Sequence, residues 1–213
     1  LASLRRAQGQ LDESERLMRL NLALRRRVAP GSLNLAETMS NLATLLTEKN
    51  RLGEADSLMR EVDGLFHASL GLEHVRRPDA LNIWALIRQE QHDFAFADSL
   101  MDEAIRLNRK IWGPEHANVG TSLASRALGL QRQNKLVEAE PFYREAIAIL
   151  RKAYDNQSPI LSNNLANLGA LLRQLNRPDE AGPPIREAIE MQRRMNPGVP
   201  DGWLVGQYLI NLA

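Results

Sequence analysis

The sequence repeats itself at intervals of 42 residues, and a period of that length limits the fold more than any other feature of the chain. Ala55, Ala97, Ala139 and Ala181 stand one period apart. So do Ala43, Ala85, Ala127 and Gly169, and so do Leu52, Phe94, Leu136 and Pro178. Neighbouring residues return as blocks. Glu54-Ala55-Asp56-Ser57-Leu58-Met59 comes back as Phe96-Ala97-Asp98-Ser99-Leu100-Met101, and Arg144-Glu145-Ala146-Ile147 comes back unchanged as Arg186-Glu187-Ala188-Ile189. A clipped earlier copy is visible at Glu13-Ser14-Glu15-Arg16-Leu17-Met18.

Within a unit the apolar residues recur at helical spacing. Leu35, Met39, Leu42, Ala43, Leu45 and Leu46 form one broad stripe at three- and four-residue steps. Asn50-Arg51, His92-Asp93, Asn134-Lys135 and Asn176-Arg177 interrupt the pattern, and Asn tolerates the left-handed backbone that ends a helix. A second helix follows, near Gly53 to Leu70 in the first full unit, closing at Gly71, with Gly113 as its equivalent. Each unit is therefore expected to be two antiparallel helices of about four turns. The small-residue columns are expected where helices cross closely, because larger side chains would hold the backbones apart. One hairpin cannot bury both faces, so each must be covered by the next. Arg126 breaks a column that elsewhere holds Leu42, Trp84 and Leu168. Gly182-Pro183-Pro184 is expected early in a second helix, where proline costs least.

These residues resemble the tetratricopeptide repeat family in the 42-residue form of kinesin light chains and many bacterial proteins. The resemblance rests on Asn41-Leu42-Ala43 and Asn167-Leu168-Gly169, on Glu138-Ala139-Glu140, and on the loops Leu70-Gly71-Leu72-Glu73-His74 and Trp112-Gly113-Pro114-Glu115-His116. Asp155 and Ser158 in the third loop, and Pro197 to Pro200 in the fourth, depart from it. It implies an all-α, right-handed superhelical solenoid of antiparallel helix pairs, and a role as a docking surface. The expected organisation is one array over 1–213: a partial repeat at 1–34, full repeats at 35–77, 78–119, 120–161 and 162–203, and the start of another at 204–213. Ends of this kind read as those of a fragment whose parent continues on both sides.

Chemistry is harder to find. With 27 basic residues against 26 acidic ones the net charge is +1, which offers no footprint for nucleic acid. Arg25-Arg26-Arg27 is expected to complement the carbonyl end of a helix rather than bind a polyanion. Cysteine is absent, which excludes disulfides and thiolate zinc sites and agrees with a cytoplasmic setting. No apolar run approaches the roughly 18–20 residues of a membrane span. His74 and His116 recur with the repeat, so a loop-capping role is expected for them, and no metal or other cofactor. The carboxylates look scattered over solvent faces, the glycines sit singly at turns, and Trp84, Trp112 and Trp203 read as core. No enzyme is expected.

The resemblance implies that the first helices line the concave face. Helical spacing from Leu42 and Ala43 turns Ser40, Asn41, Thr44 and Thr47 outward, with equivalents Asn82, Ile83, Leu86 and Gln89, then Ala124, Ser125, Leu128 and Gln131, then Ala166, Asn167, Ala170 and Arg173. The expected partner-binding residues are Asn41, Asn82, Ile83, Leu86, Gln89, Leu128, Gln131, Arg132, Asn167 and Arg173. An Asn amide can both donate to and accept from a peptide backbone, and the two arginines would favour acidic residues. The partner is then a protein or peptide segment, or a neighbouring domain of the same chain if the array regulates a larger enzyme or transcription regulator.

Overall fold

The computed structural model describes residues 11–154, 158–196 and 198. Among them nine α-helices follow one another and no strand occurs: α1 (Leu11–Val28), α2 (Leu33–Glu48), α3 (Leu52–Leu65), α4 (Arg77–Glu90), α5 (Phe94–Trp112), α6 (Ala117–Arg132), α7 (Leu136–Ala153), α8 (Pro159–Gln174) and α9 (Pro178–Met195). The pairs α2/α3, α4/α5, α6/α7 and α8/α9 are the expected hairpins. Two compact units cluster out, Leu1–Ala104 and Ile105–Ala213, with the boundary inside α5. The first ten residues of the partial repeat expected at 1–34 and the further repeat expected at 204–213 lie outside the described residues, as do Trp203 and Asp155.

The turns follow from backbone conformation. Asn50, His92, Asn134 and Asn176 adopt φ of 57°, 61°, 59° and 59°, the left-handed region that Asn and His enter more readily than bulkier residues. Each is followed by an N–H that reaches back over the helix end: Arg51 to the Leu46 carbonyl at 2.8 Å, and Asp93, Lys135 and Arg177 to Arg88, Leu130 and Leu172 at 2.9 Å. The second helix then starts at once, with Leu52, Phe94, Leu136 and Pro178 in its first position. At its far end α3 passes into one π turn, Phe66–Leu70, and stops at Gly71 with φ of 91°.

Packing explains the small columns. Ala43, Ala85, Ala127, Ala55, Ala97 and Ala139 are fully buried. At Gly169 a Cβ would lie 2.3 Å from Ile185 Cγ1, so α8 and α9 approach too closely for alanine. Arg126 is accommodated half-buried, its guanidinium 5.9 Å from the ring centre of Phe142.

Three expectations need correction. Pro183 and Pro184 lie in α9 beyond its first turn, where neither can supply the i→i−4 hydrogen bond to the carbonyls of Asp179 and Glu180. Trp112 is 43% exposed, and its ring stacks on His116 with centroids 4.8 Å apart. The carboxylates are not all at the surface either. Glu15 and Asp56, which directly follow the small residues Ser14 and Ala55, are buried. Asp56 accepts from Trp84 Nε1 at 2.7 Å and pairs with Arg88 Nε at 2.8 Å. Glu15 receives Lys49, Arg19 at 2.9 Å and Arg51 at 2.6 Å. Glu140, the corresponding residue of α7, receives Arg177 at 2.7 Å. Successive hairpins within each unit are thus joined by ion pairs as well as by leucine.

Candidate functional site

Residues on the open side of the first helices fall into columns, and the structure decides which columns face outward. Of the four proposed from spacing, two contain residues that turn in. Ser40 is buried and its Oγ donates to the Ala36 carbonyl at 2.9 Å. Asn82, its equivalent, is half-buried, with Oδ1 shut off from solvent. Gln89 is only 4% exposed, and its amide meets Met101 Sδ at 3.8 Å. Asn82 and Gln89 were expected to face the groove. The angular width of the buried stripe explains the difference, since a helix packed on both flanks buries residues beyond a single apolar stripe.

The residues left open form the site. Asn41 is exposed, Ile83 is half-buried and Leu86 is 39% exposed. In the first unit two clefts open along the seam of α2 and α4 and share Ile83. One, of about 330 Å³, is bordered by Glu37, Asn41, Phe66, Arg76 and Asp79. The other, of about 360 Å³, is bordered by Thr44, Glu48, Leu86 and Glu90. Thr44 and Thr47 both line the second cleft, and their hydroxyls are turned back on the helix, donating to the Ser40 and Ala43 carbonyls at 3.0 and 2.8 Å.

The second unit carries the other five expected residues. Leu128 and Asn167 are half-buried on α6 and α8, Arg132 is exposed, and Arg173 is half-buried. Gln131 is committed to the protein itself. Its Oε1 accepts from the buried Tyr143 hydroxyl at 3.1 Å, and its Nε2 donates to Gln174 Oε1 at 2.9 Å. Burial pushes the Tyr143 hydroxyl well above the ordinary phenol range, so it stays a donor at any physiological pH.

Spacing alone missed the two ends of the outward stripe. Glu37, Asn41, Thr44 and Glu48 lie at steps of four, three and four, and the same register on α4 gives Asp79, Ile83, Leu86 and Glu90. Extending the stripe by one turn each way would have found the acids.

The loop histidines are structural. His116 Nδ1 accepts from the Asn118 N–H and caps α6, and His74 Nδ1 accepts from the Arg76 N–H, both at 3.1 Å. Among the described residues no group of three His, Asp or Glu could hold a metal ion, and no helix is long and apolar enough to cross a membrane.

A tetratricopeptide repeat model matches residues 1–62, 76–152 and 125–194. Against curated protein sequences the chain has no significant match. Solved structures are similar in fold. BtubC (BKLC) from P. vanneervenii has a TM-score of 0.78 at 21% identity, over 94% of this chain and 80% of that one. A putative kinesin light chain from Podosopora anserina, with nearly identical TPR-like repeats, has 0.72 at 19%, over 92% and 93%. Aspartyl phosphate phosphatase F from Bacillus subtilis has 0.78 at 13%, over 97% of this chain and 52% of that one. Repeats of this kind generally mediate protein–protein interaction and are generally not catalytic. With helix hairpins in register at 42 residues and the family model matching most of its length, the chain belongs to the tetratricopeptide repeat family.

Proposed function

We propose that this chain is a docking module whose first helices hold a segment of a partner protein. The observation that carries the reading is the pair of clefts along the α2–α4 seam, which share Ile83 and mix apolar floor with polar border. A segment laid along the seam would seat side chains in the clefts while Asn41 exchanges hydrogen bonds with its backbone. In the second unit Asn167 and Leu128 offer the same mixture, and Arg132 and Arg173 suit an acidic side chain or a C-terminal carboxylate. The partner is a protein or peptide segment, neither nucleic acid nor membrane; no cofactor takes part, and the setting is the cytoplasm.

The test uses a random peptide library displayed on phage and panned on the 213-residue chain. Selected peptides should lose about 1–2 kcal/mol of affinity on Asn41→Ala or Asn167→Ala, the cost of an unmet hydrogen bond. Leu86→Asp should abolish binding to the first unit without changing thermal unfolding. Selected peptides that bind all three variants as tightly as the parent would move the site off this face.

A further inference from the structure

Helix α1 carries two apolar stripes. Through Ser14, Met18 and Leu22, all buried, it packs into the first unit. Leu20, Leu24 and Val28 stand at steps of four along another face, and each is more than half exposed. The same places are occupied differently in later second helices. Leu107, Ile149 and Met191, which replace Leu24 on α5, α7 and α9, are buried. Glu61, Glu145 and Glu187 stand where Leu20 stands, and each takes an arginine of the preceding second helix: Arg26 at 2.6 Å, Arg109 at 2.7 Å and Arg151 at 2.5 Å. A flank that elsewhere meets its neighbour by charge is apolar on α1. The arginines beside it are divided in use. Arg26 is spent on Glu61, whereas Arg25 has only the neutral amide of Asn21, 3.1 Å from its Nε, and Arg27 has no polar partner among the described residues. Arg27 follows Leu24 by three residues and Arg25 precedes Val28 by three, so both border the exposed stripe. The carbonyl end of α1 suits cations, but it gives no reason for large apolar side chains between them.

We infer that this face of α1 is a second docking surface, and that it takes an amphipathic helix of a partner protein with acidic residues beside its apolar ones. Each part has a separate physical reason. Leu20, Leu24 and Val28 gain by being removed from water, and a line of apolar side chains along one helix is matched by the stripe of another. The backbone of α1 is already paired within the helix, so it offers nothing to the N–H and C=O groups of an extended segment. A helix brings its own backbone hydrogen bonds. Arg25 and Arg27 carry charge that no carboxylate of the described residues answers, so they favour an acidic partner and repel a basic one. The surface makes no use of the α2–α4 seam and is tested apart from it.

Three acetylated and amidated peptides of about five helical turns provide the probe. Each is an alanine helix with leucines at three- and four-residue steps, and the positions flanking the leucines are all glutamate, all glutamine or all lysine. Fluorescence anisotropy with the 213-residue chain at low salt should rank them glutamate, glutamine, lysine. Leu24→Asp should abolish binding of the glutamate peptide, and Val28→Asp should do the same, while the thermal melts of both variants stay those of the parent. Arg25→Gln/Arg27→Gln should weaken it about five- to tenfold, two exposed ion pairs at their ordinary strength. Arg25→Glu/Arg27→Glu should pass the preference to the lysine peptide, and about 0.5 M salt should level the three. Leu86→Asp should change nothing, which separates this surface from the α2–α4 seam. Equal binding of the three peptides at low salt, or no binding, would overturn the inference. So would a complex that survives both aspartate variants on α1, or one that is lost on Leu86→Asp instead. A dimer in sedimentation that Leu24→Asp dissolves would assign the face to a second copy of the chain. Capture by phosphatidylserine vesicles that Leu24→Asp abolishes would assign it to a membrane, and either result would overturn the partner-helix inference.

Discussion

Trp84 Nε1 donates to Asp56 Oδ1 across 2.7 Å, so the second full hairpin is fastened to the first through a carboxylate that water barely reaches. Arg88 lies on the same carboxylate at 2.8 Å and 4.8 Å from the ring centre of Phe96. Trp84→Phe keeps an aromatic ring in place but removes the donor, which should cost at least about 1–2 kcal/mol. Asp56→Ala takes the acceptor from Trp84 Nε1 and the nearer of two carboxylates from Arg88, which keeps Asp93 at 3.2 Å, and should cost about 3 kcal/mol. Urea unfolding of the two variants checks the order. A larger loss from Trp84→Phe would show that ring packing, not the carboxylate, holds this joint.

Acid should loosen the first unit before it melts the rest. The hydrogen bond from Lys49, with Arg19 and Arg51 beside it, holds the Glu15 carboxyl down at about 2 although burial works against this. A depressed carboxylate pKa contributes stability above the unfolded value, about 4.3, and that contribution fades as pH falls toward the folded value. Between about pH 4.5 and pH 2, then, the contact of α1 with α2 and α3 should weaken. Hydrogen exchange followed across that range should show α1 losing protection first, and Glu15→Gln should lose it already at pH 7.

Two glycines in helices should respond oppositely to alanine. Gly64 in α3 has open space where a Cβ would go, so Gly64→Ala should stabilise by about 0.5–1 kcal/mol through helix propensity. At Gly169 the new methyl would collide with Ile185, and the overpacking should outweigh that gain and destabilise by roughly 1–3 kcal/mol. The same sign is expected for Ala85→Leu and Ala97→Leu. Thermal melts separate these cases without any binding partner.

The four left-handed turn residues make a third contrast. Asn134→Gly should be nearly neutral, because glycine enters φ near 59° freely. Asn134→Val should cost about 1–3 kcal/mol, the strain of a β-branched residue in that region. Equal stability of the two variants would mean that the turn can change conformation.

Period, helix boundaries and turns were legible in the residues because each depends on neighbours in the chain. Ala43 and Ala55 announce close crossings, Asn50 and Asn134 announce helix ends, and Gly71 and Gly113 close second helices. These are local rules, and a repeat states them four times. What faces the partner was only partly legible. Asn41 and Leu86 are open, whereas Gln89 is folded against Met101 and Gln131 is bound by Tyr143. On a helical wheel Thr47, Gln89, Gln131 and Arg173 share one angle, but the width of the buried stripe depends on how near the flanking helices stand. The same holds for Glu15 and Asp56. Nothing local distinguishes them from solvated acids, and they are interior because Lys49, Arg51, Trp84 and Arg88 arrive from later in the chain to compensate them. The sequence by itself determined the period, the helices and the turns, which are set over distances of a few residues. Only the tertiary structure decided which polar side chains are spent on the fold and which are left for a partner, because that depends on contacts between residues some 30 to 40 positions apart.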